Sequence, residues 1–344
     1  MPTALQMKRL QANPDDEFYT RLCDINAELR HYKHHFKDKV VLCNCDDPRV
    51  SNFFHYFAEH FEELGLKKLI ATCYKHQDIN LFSDYTSEQA VYIVYEGDKN
   101  GNQTVDFDEL QVLPLKGDGD FRSDECIELL KQSDIVCTNP PFSLLGEFFE
   151  TLFRYNKKFL VLGSSAAVHR AVAFPHIRDN RMWVGYKPYS VDMLFEVSKE
   201  HEQILRETKE EGSGWRVVNG EFYGRTQAVW FTNLEIQKTH EDFVSLLYKD
   251  YYGHEDEYPK YENLDAIEVG QVKDIPKDYF GLMGVPDSFI DVYNPDQFEL
   301  VGVGVGNLAK QIGVTKNYRG RTDVAVKVNG KMKCPYSRLI IRRK

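Results

Sequence analysis

Short apolar runs alternate with amphipathic stretches along the first two thirds of the chain. Four of these runs have the length and composition of buried strands: Lys39–Cys43, Lys68–Tyr74, Ile135–Cys137 and Phe159–Leu162. Between them, apolar residues recur at helical spacing over 22–36, 53–64 and 144–152. Strands that alternate with helices in this way predict an α/β fold with a doubly wound, mostly parallel sheet.

The other segments of the chain predict further elements and a second domain. Residues 91–112 are predicted as a hairpin, residues 201–227 as a polar surface excursion, and Ala228–Thr232 as a late strand that closes the sheet. From about residue 236 the composition changes: the apolar segments are shorter and are separated by Tyr, Pro and Gly. The sequence therefore predicts two domains, 1–235 and 236–344.

The sharpest local signal directly follows the strand Ile135–Cys137. In Asn139-Pro140-Pro141-Phe142 the two prolines end the strand, and Ser143 is predicted to cap the next helix. In open α/β sheets this edge is where ligands bind. The asparagine amide offers one acceptor and two donors, and the phenylalanine offers a flat face. Together they suit a planar exocyclic amine such as that of adenine. The alternative is a turn with an incidental aromatic residue. It is less favoured because the preceding strand, the two prolines and the following helix all indicate a loop at the carboxyl end of a strand.

Polar residues follow other strands at the same predicted edge. They are Asn44, Asp46, Asp47, Asp118 and Asp120, with Phe121 beside them. Carboxylates there suit ribose hydroxyls and a charged α-amino group but repel phosphates, which favours an adenosyl amino acid over a nucleoside triphosphate. Phe121 is expected to pack on a purine ring. Each aspartate alone is more often a cap or turn residue. A metal site is the less favoured alternative, because no histidine joins the carboxylates in sequence.

Composition narrows the class of protein. The chain has 344 residues, of which 42% are hydrophobic, and no apolar run approaches the roughly 20 residues of a membrane span. Seven cysteines without a CxxC pair predict reduced thiols in a cytoplasmic protein. A nicotinamide oxidoreductase is disfavoured because the GxGxxG turn is absent.

The charge is distributed unevenly along the chain. The net charge is −10, yet residues 309–344 hold eleven Lys or Arg and a single acidic residue, so this tail carries +10 and the rest −20. Such asymmetry is typical of a local phosphate-binding surface. The alternative is a solvated basic terminus. The candidates for phosphate contact are Lys316, Arg319, Arg321, Lys331, Lys333, Arg338 and the terminal Arg342-Arg343-Lys344.

The Asn139–Phe142 loop is similar to the catalytic loop of S-adenosylmethionine-dependent amino-methyltransferases. More narrowly, the chain resembles the EcoRI-type adenine-specific DNA methyltransferases. The similar stretches are Asp16–Thr20, Val40–Phe57, Gly117–Phe121, Ser133–Phe142, Trp230–Leu234, Met283–Pro286, Asn294–Leu300 and Cys334–Leu339. The resemblance implies a Rossmann-like methyltransferase fold with a C-terminal target-recognition region. It also implies methyl transfer to adenine N6 in a specific double-stranded DNA site.

Residue roles follow from the same resemblance. Catalysis is expected at Asn139, Pro140, Pro141 and Phe142, on a base that has been flipped out of the duplex. S-adenosylmethionine is expected to contact Tyr19, Thr20, Asn44, Asp46, Asp47, Asp118, Asp120, Phe121 and Asn139. No metal is expected. A monomer is expected, with a cognate restriction endonuclease as a further partner, and the suggested DNA site is GAATTC or a relative of it.

Two features depart from the wider class of methyltransferases. No glycine lies between Cys43 and Asn52, where the first cofactor loop is usually glycine-rich, and the second strand ends in Cys73-Tyr74 without the usual acidic residue. Asp118 or Asp120 is therefore expected to take more of the ribose contact. The functional alternatives are an RNA-adenine methyltransferase, a protein-glutamine methyltransferase and a catalytically silent DNA-binding module.

Overall fold

A computed structural model describes residues 19–45, 51–72, 90–102, 105, 107–196, 214–328 and 330–344. The chain divides into two compact units, the first formed by Met1–Ser164 and Asp192–Leu234 and the second by Ser165–Val191 and Glu235–Lys344. Segment 165–191 therefore groups with the C-terminal residues, because its helix around Phe174 and Ile177 buries its apolar side against a strand of that unit. The division of roles between a catalytic domain 1–235 and a recognition domain 236–344 stays a prediction.

The elements are numbered in chain order. The strands are β1 Tyr19–Thr20, β2 Val40–Asn44, β3 Lys68–Thr72, β4 Val91–Tyr95, β5 Gln111–Pro114, β6 Ile135–Thr138, β7 Lys158–Ser164, β8 Trp183–Val184, β9 Met193–Glu196, β10 Trp215–Val218, β11 Glu221–Thr226, β12 Ala228–Thr232, β13 Ile267–Glu268, β14 Leu282–Pro286, β15 Phe298–Val303, β16 Val326–Val328, β17 Lys331–Lys333 and β18 Arg338–Arg343. The α-helices are α1 Leu22–Leu29, α2 Asn52–Glu59, α3 Phe61–Leu64, α4 Asp124–Gln132, α5 Leu145–Arg154, α6 Phe174–Arg178 and α7 Gly306–Gln311.

A mixed sheet forms the centre of the first unit, with its strands in the order β5-β4-β3-β2-β6-β7-β12. The central strands β3, β2, β6 and β7 are parallel neighbours, whereas β4, β5 and β12 join antiparallel. The predicted parallel core, the hairpin at 91–112 and the closing strand at 228–232 are confirmed. A mostly parallel sheet was too strong a prediction, since both flanks are antiparallel.

The central strands are apolar because both faces of the sheet are covered. Every residue of β2, β6 and β12 is buried. Parallel pairing aligns the strand ends, so that Asn44 at the end of β2 lies opposite Thr72 at the end of β3. On the other side of β2, Leu42 pairs with Val136 of β6. The carboxyl ends of β2, β3 and β6 therefore lie side by side, which is the edge where ligands bind in such sheets.

The helices that flank β6 are positioned in different ways. Helix α4 begins at Asp124, where the Ser123 hydroxyl accepts a hydrogen bond of 3.3 Å from the Cys126 amide. The prediction that Ser143 caps the next helix was wrong. Phe142–Leu144 form a 3₁₀ turn, in which the Leu144 amide donates to the Pro141 carbonyl, and α5 begins at Leu145 without a side-chain cap.

Helix α5 approaches the sheet closely at a glycine. A Cβ atom on Gly163 of β7 would lie 2.7 Å from Leu145 Cδ2 and 2.9 Å from Phe231 Cε2. Only glycine fits at this distance. Because Gly163 has no side chain, the start of α5 can lie close to the sheet. The loop that precedes α5 is held close to the sheet as well.

A second sheet in the first unit has the order β1-β9-β11-β10 and is antiparallel throughout. The prediction of a polar excursion over 201–227 was wrong for its second half, because β10 and β11 pair there with Trp215 buried. Most residues of this two-stranded ribbon are half-buried or exposed, so its sequence is polar and lacks the apolar run that would have predicted a strand. Residues 201–213 lie outside the described part of the chain.

The second unit contains the sheet β13-β14-β18-β15 and the hairpin β16-β17. Its hydrophobic core includes the buried side chains Tyr261, Ala266, Ala309, Val314, Val324, Val326 and Ile340. The last strand, β18, lies at the centre of its sheet, between β14 and β15. Its Leu339-Ile340-Ile341 run is fully buried, so the basic tail of the sequence is part of a core and not a loose terminus. Among the described residues, no helix has the length and hydropathy needed to cross a membrane.

Candidate active site

The Asn-Pro-Pro-Phe loop leaves the sheet at the carboxyl end of β6, as predicted. Thr138, the last residue of the strand, is 1% exposed, and Pro140 is buried. Asn139 and Phe142 are half-buried as whole residues, whereas the Asn139 Oδ1 atom is itself buried. Pro140 and Pro141 remove two backbone donors and fix φ, which makes the loop stiff. The loop therefore presents an amide and an aromatic ring from a pre-organised backbone.

A side-chain bond joins this loop to the first strand. The Thr138 hydroxyl donates to the Asn44 backbone carbonyl at the end of β2. Both residues are buried, and Asn44 lies directly opposite Thr72. The end of β6 is therefore held against the end of β2, independently of the ladder hydrogen bonds.

Buried oxygens without hydrogen-bond partners lie at the ends of β2 and β3 and in β1. Within the described chain, Asn44 Oδ1, Thr72 Oγ1 and Thr20 Oγ1 have no partner, although the three residues are only 5%, 1% and 2% exposed. Leaving such a group unpaired costs about 1–3 kcal/mol. A bound molecule with hydroxyl or ammonium donors would satisfy these acceptors. The ribose and α-amino groups of an adenosyl amino acid fit this requirement.

The N-terminal segment reaches the same region through the start of α2. Asn52 Nδ2 donates to the Thr20 carbonyl at 2.8 Å. Tyr19 lies in β1, where it pairs with Glu196 of β9. Of the first-loop residues predicted to contact the cofactor, Asn44 is buried at the strand end. Asp46 and Asp47 lie outside the described residues.

The first loop has an unusual backbone at Cys45. This residue has φ of 82°, in the left-handed region that favours glycine. A non-glycine residue there costs of order 1–3 kcal/mol. The expected glycine is thus missing from the sequence, but the backbone turn that it would make is present at Cys45.

The Gly117–Phe121 loop is fixed at both ends. Glu125 of α4 accepts hydrogen bonds of 2.8 Å from the Lys116 and Gly117 amides. At the other end, Arg122 Nη2 donates to Asp120 Oδ2 at 2.6 Å, and its Nη1 donates to Glu147 Oε2 of α5 at 2.7 Å. Arg122 therefore links the predicted cofactor loop to the helix that follows the Asn139–Phe142 loop.

Arg122 also sets the ionisation of Asp120. Burial of the Asp120 carboxyl works to raise its pKa, but hydrogen bonds from Arg122 outweigh burial and hold the pKa below its ordinary value. The hydrogen bond to Asp120 in turn raises the pKa of Arg122. Asp118 is exposed and accepts from the Asp120 amide at 3.0 Å. No group of three His, Cys, Asp or Glu side chains in the described ranges is arranged to hold a metal ion.

Phe121 is buried in this structure. It is 6% exposed, packs edge-on against Phe148 of α5 with ring centroids 5.0 Å apart, and carries the Arg122 guanidinium 5.4 Å from its centroid. The ring thus anchors the Gly117–Phe121 loop to α5 through Phe148. Its contact with a purine stays a prediction.

Three residues at the site were not singled out in the sequence. Thr72 ends β3 opposite Asn44, Thr138 bonds to Asn44, and Arg122 pairs with Asp120. The register of β2 against β3 would have indicated Thr72, and the position of Thr138 directly before the loop would have indicated that residue. Nothing in the sequence indicates that Arg122 reaches Glu147, which is 25 residues away.

The basic tail contains two kinds of cation. An exposed group, here called the basic surface, comprises Lys316, Arg319, Arg321, Lys331 and Lys333. None of the five makes an ion pair with a carboxylate of the described chain. Arg338 differs: it is 13% exposed and donates to Glu268 Oε1 through Nε at 3.0 Å and Nη2 at 2.7 Å. The geometry thus commits Arg338 to Glu268, and a role in phosphate binding is disfavoured for it.

Asn317 connects the parts of the basic surface. Its Oδ1 accepts from the Arg319 amide at 2.8 Å and the Arg321 amide at 3.2 Å, and its Nδ2 donates to Cys334 Sγ at 3.2 Å. The Tyr318 hydroxyl donates to the Met332 carbonyl of β17. The loop 316–321 therefore lies against the hairpin β16-β17 and the segment that follows it.

A parallel-centred sheet with an Asn-Pro-Pro-Phe loop at its carboxyl edge defines an amino-methyltransferase site, and comparison with known proteins supplies the family. Residues 6–344 match the family model described as "Adenine-specific methyltransferase EcoRI", so the chain belongs to this family and is an adenine-specific DNA methyltransferase.

Its similarity to individual relatives extends over nearly their whole length. It is 41% identical to the type II methyltransferase M.EcoRI of Escherichia coli over 98% of this chain and 96% of that protein. It is 37% identical to the type II methyltransferase M.MpnI of Mycoplasma pneumoniae over 98% of this chain and 97% of that protein. No solved structure matches the chain.

Proposed function

We propose that this protein transfers a methyl group from S-adenosylmethionine to the N6 amine of an adenine within a specific double-stranded DNA sequence. The observation that carries the proposal is the stiff Asn139–Phe142 loop beside buried, unpaired oxygens of Asn44 and Thr72. The cofactor supplies an electrophilic methyl group on a sulfonium.

The adenine amine is a weak nucleophile because its lone pair is delocalised into the ring. Asn139 Oδ1 and the Pro140 carbonyl accept its two hydrogens, which favours a nitrogen lone pair directed out of the ring plane. Phe142 stacks on the base and fixes its plane. The residues thus work by orientation and by stabilising positive charge that develops on the nitrogen.

The cofactor region is assigned to the strand ends. Asn44 and Thr72 offer acceptors to hydroxyl and ammonium donors, and Asp118 offers an exposed carboxylate. Asp120 is occupied by Arg122, so we assign it a role in holding the loop.

The second unit supplies the phosphate contacts in this proposal. Its basic surface belongs to the tail 309–344, which carries +10, whereas residues 1–308 carry −20. An adenine inside a duplex cannot be reached by the Asn139 loop, so the target base is flipped out for reaction. Cleavage by a partner endonuclease at the same site, and the monomeric state, belong to the same proposal.

The decisive experiment is transfer of a tritiated methyl group from S-adenosylmethionine onto a panel of substrates. The panel contains GAATTC duplexes, duplexes that differ from it by one base pair, an RNA hairpin and a protein acceptor. We expect label on DNA only, recovered as N6-methyladenine after nuclease digestion and mass spectrometry. Label on RNA or protein, or at another DNA position, would replace the proposed substrate, and no transfer with any methyl acceptor would refute catalysis.

A further inference from the structure

We propose that Tyr336 is a wedge that inserts its ring into bound DNA and stacks on a base. This inference rests on the proposed function, since it presumes a DNA substrate. The first observation is exposure: the Tyr336 side chain is 93% exposed, more than any other large hydrophobic side chain in the described part of the molecule. An aromatic ring left in water at this level contributes nothing to the core of its unit.

The second observation is that the backbone beneath this ring is braced. Arg338 Nη1 donates to the Tyr336 carbonyl at 3.3 Å and the Ser337 carbonyl at 3.2 Å. The same guanidinium is held by Glu268, and Glu268 also accepts from the Tyr261 hydroxyl in the core. On the other side, Asn317 holds Cys334, and Pro335 restricts φ. The ring is therefore presented on a segment that is already ordered.

The third observation is the charge of the surroundings. Segment 334–337 directly follows β17, which carries Lys331 and Lys333, and Asn317 ties it to the loop that carries Arg319 and Arg321. These cations are exposed and make no ion pair with a carboxylate within the described ranges. A projecting aromatic ring among unpaired cations matches a polyanion with flat, stackable bases. DNA is favoured over an anionic membrane surface because the chain belongs to an adenine-specific DNA methyltransferase family.

Insertion of the ring is energetically feasible. Proteins that insert apolar wedges spend a few kcal/mol on unstacking a base step and recover it through contacts. Base–aromatic stacking is sequence-tolerant, so this contact adds affinity and helps to open the stack without reading bases. A brace that orders the loop before binding removes part of the entropy cost of the contact.

The test compares Tyr336→Ala with Tyr336→Phe and with Tyr252→Ala, which removes another exposed tyrosine, 66% exposed, from the same unit. The probe is the duplex that the methylation panel selects, with 2-aminopurine replacing an adenine of the site. Binding is followed by anisotropy at several salt concentrations, and unstacking by 2-aminopurine fluorescence. Melting temperatures of all variants should match the wild type, because the ring lies outside the core.

We expect Tyr336→Ala to bind about tenfold more weakly, to lose most of the fluorescence increase and to keep the salt dependence of the wild type. Tyr336→Phe and Tyr252→Ala should behave as the wild type. Tyr336→Ala within twofold of wild-type affinity with an unchanged fluorescence signal would overturn the wedge, as would an equal loss in Tyr252→Ala. If the wild type neither binds nor methylates DNA, the proposed function fails, and this outcome is distinguishable from failure of the wedge alone.

Discussion

The Thr138 hydroxyl donates a hydrogen bond to the Asn44 backbone carbonyl, across the carboxyl ends of two parallel strands. Thr138 directly precedes the Asn139–Phe142 loop, and Asn44 directly precedes the first cofactor loop. The two loops therefore share one buried contact. A change in either strand end is expected to move both the base-binding and the cofactor-binding residues.

Thr138→Val tests this coupling with little change of shape. The valine leaves the Asn44 carbonyl without its donor in a buried site, which should destabilise the first unit by roughly 1–3 kcal/mol. The KM for the methyl donor should rise and kcat should fall, because both loops lose their common anchor. Urea unfolding and methylation kinetics measure the two effects. Thr138→Ser keeps the hydroxyl and should stay near the wild type, and equal losses in both variants would contradict the role of this bond.

Asn139→Ala removes the proposed acceptor for the adenine amine. Because the contact gains strength as charge develops on nitrogen, kcat should fall roughly 100- to 1000-fold, with little change in cofactor affinity. Single-turnover methylation and calorimetry with S-adenosylmethionine measure the two quantities. Asn139→Asp keeps an oxygen at the same position and should retain more activity than alanine. Turnover of Asn139→Ala near that of the wild type would exclude the assigned role.

Cys45→Gly tests the left-handed backbone at the first loop. Glycine adopts φ of 82° without strain, although it raises the entropy of the unfolded chain. These effects oppose each other, so we expect stability within about 1 kcal/mol of the wild type and intact cofactor binding. Cys45→Val places a β-branched residue in a disfavoured conformation and should weaken both. The comparison uses thermal unfolding and calorimetry, and tight cofactor binding by Cys45→Val would show that this turn does not shape the site.

The fold was predictable where hydrophobic pattern alone decides it. The buried runs of β2, β6 and β7 follow from local sequence. The hairpin β4-β5 was predicted, but the antiparallel pairing of β4 with β3 and of β12 with β7 was not, because the direction of pairing depends on how the chain returns to the sheet.

Roles of individual side chains depended on distant partners. Arg338 was read as a phosphate ligand because its sequence neighbours are basic, yet Glu268, 70 residues earlier, takes its guanidinium. Phe121 is expected to pack on a purine ring, and this stays a prediction, but the edge-on contact of its ring with Phe148 could not be foreseen. Such pairings across the fold cannot be read from spacing.

The Asp120–Arg122 clamp predicts a pH dependence. The Asp120 pKa is depressed in the folded protein, so its stabilising effect is full above the ordinary aspartate pKa of 3.8 and is lost as pH falls through the lower folded value. The free energy of unfolding of Arg122→Gln should therefore lie below that of the wild type by roughly 1 kcal/mol or less at neutral pH. This difference should shrink below about pH 3.8.

Denaturant unfolding over that pH range measures the effect of the clamp. Arg154→Gln, which removes an exposed arginine from α5, is the matched control and should show no such trend. A difference between the wild type and Arg122→Gln that does not vary with pH would indicate that Arg122 acts through packing on Phe121 instead.

The last prediction separates the two kinds of cation in the basic tail. Lys331 and Lys333 are exposed on β17, so replacing both by glutamine should weaken DNA binding and reduce the slope of log affinity against log salt by about 1.8, at roughly 0.9 for each phosphate contact. Lys273→Gln with Lys277→Gln removes the same charge from two exposed lysines of the same unit and should change the slope less.

Arg338→Gln should behave in the opposite way. It leaves Glu268, which is 12% exposed, without its partner and should lower the stability of the second unit by on the order of 3 kcal/mol, with little change in the salt slope. Anisotropy titrations at four salt concentrations and thermal unfolding of each variant distinguish these outcomes. An unchanged slope in the double lysine variant, or a reduced slope in a fully folded Arg338→Gln protein, would reverse the assignment of these residues.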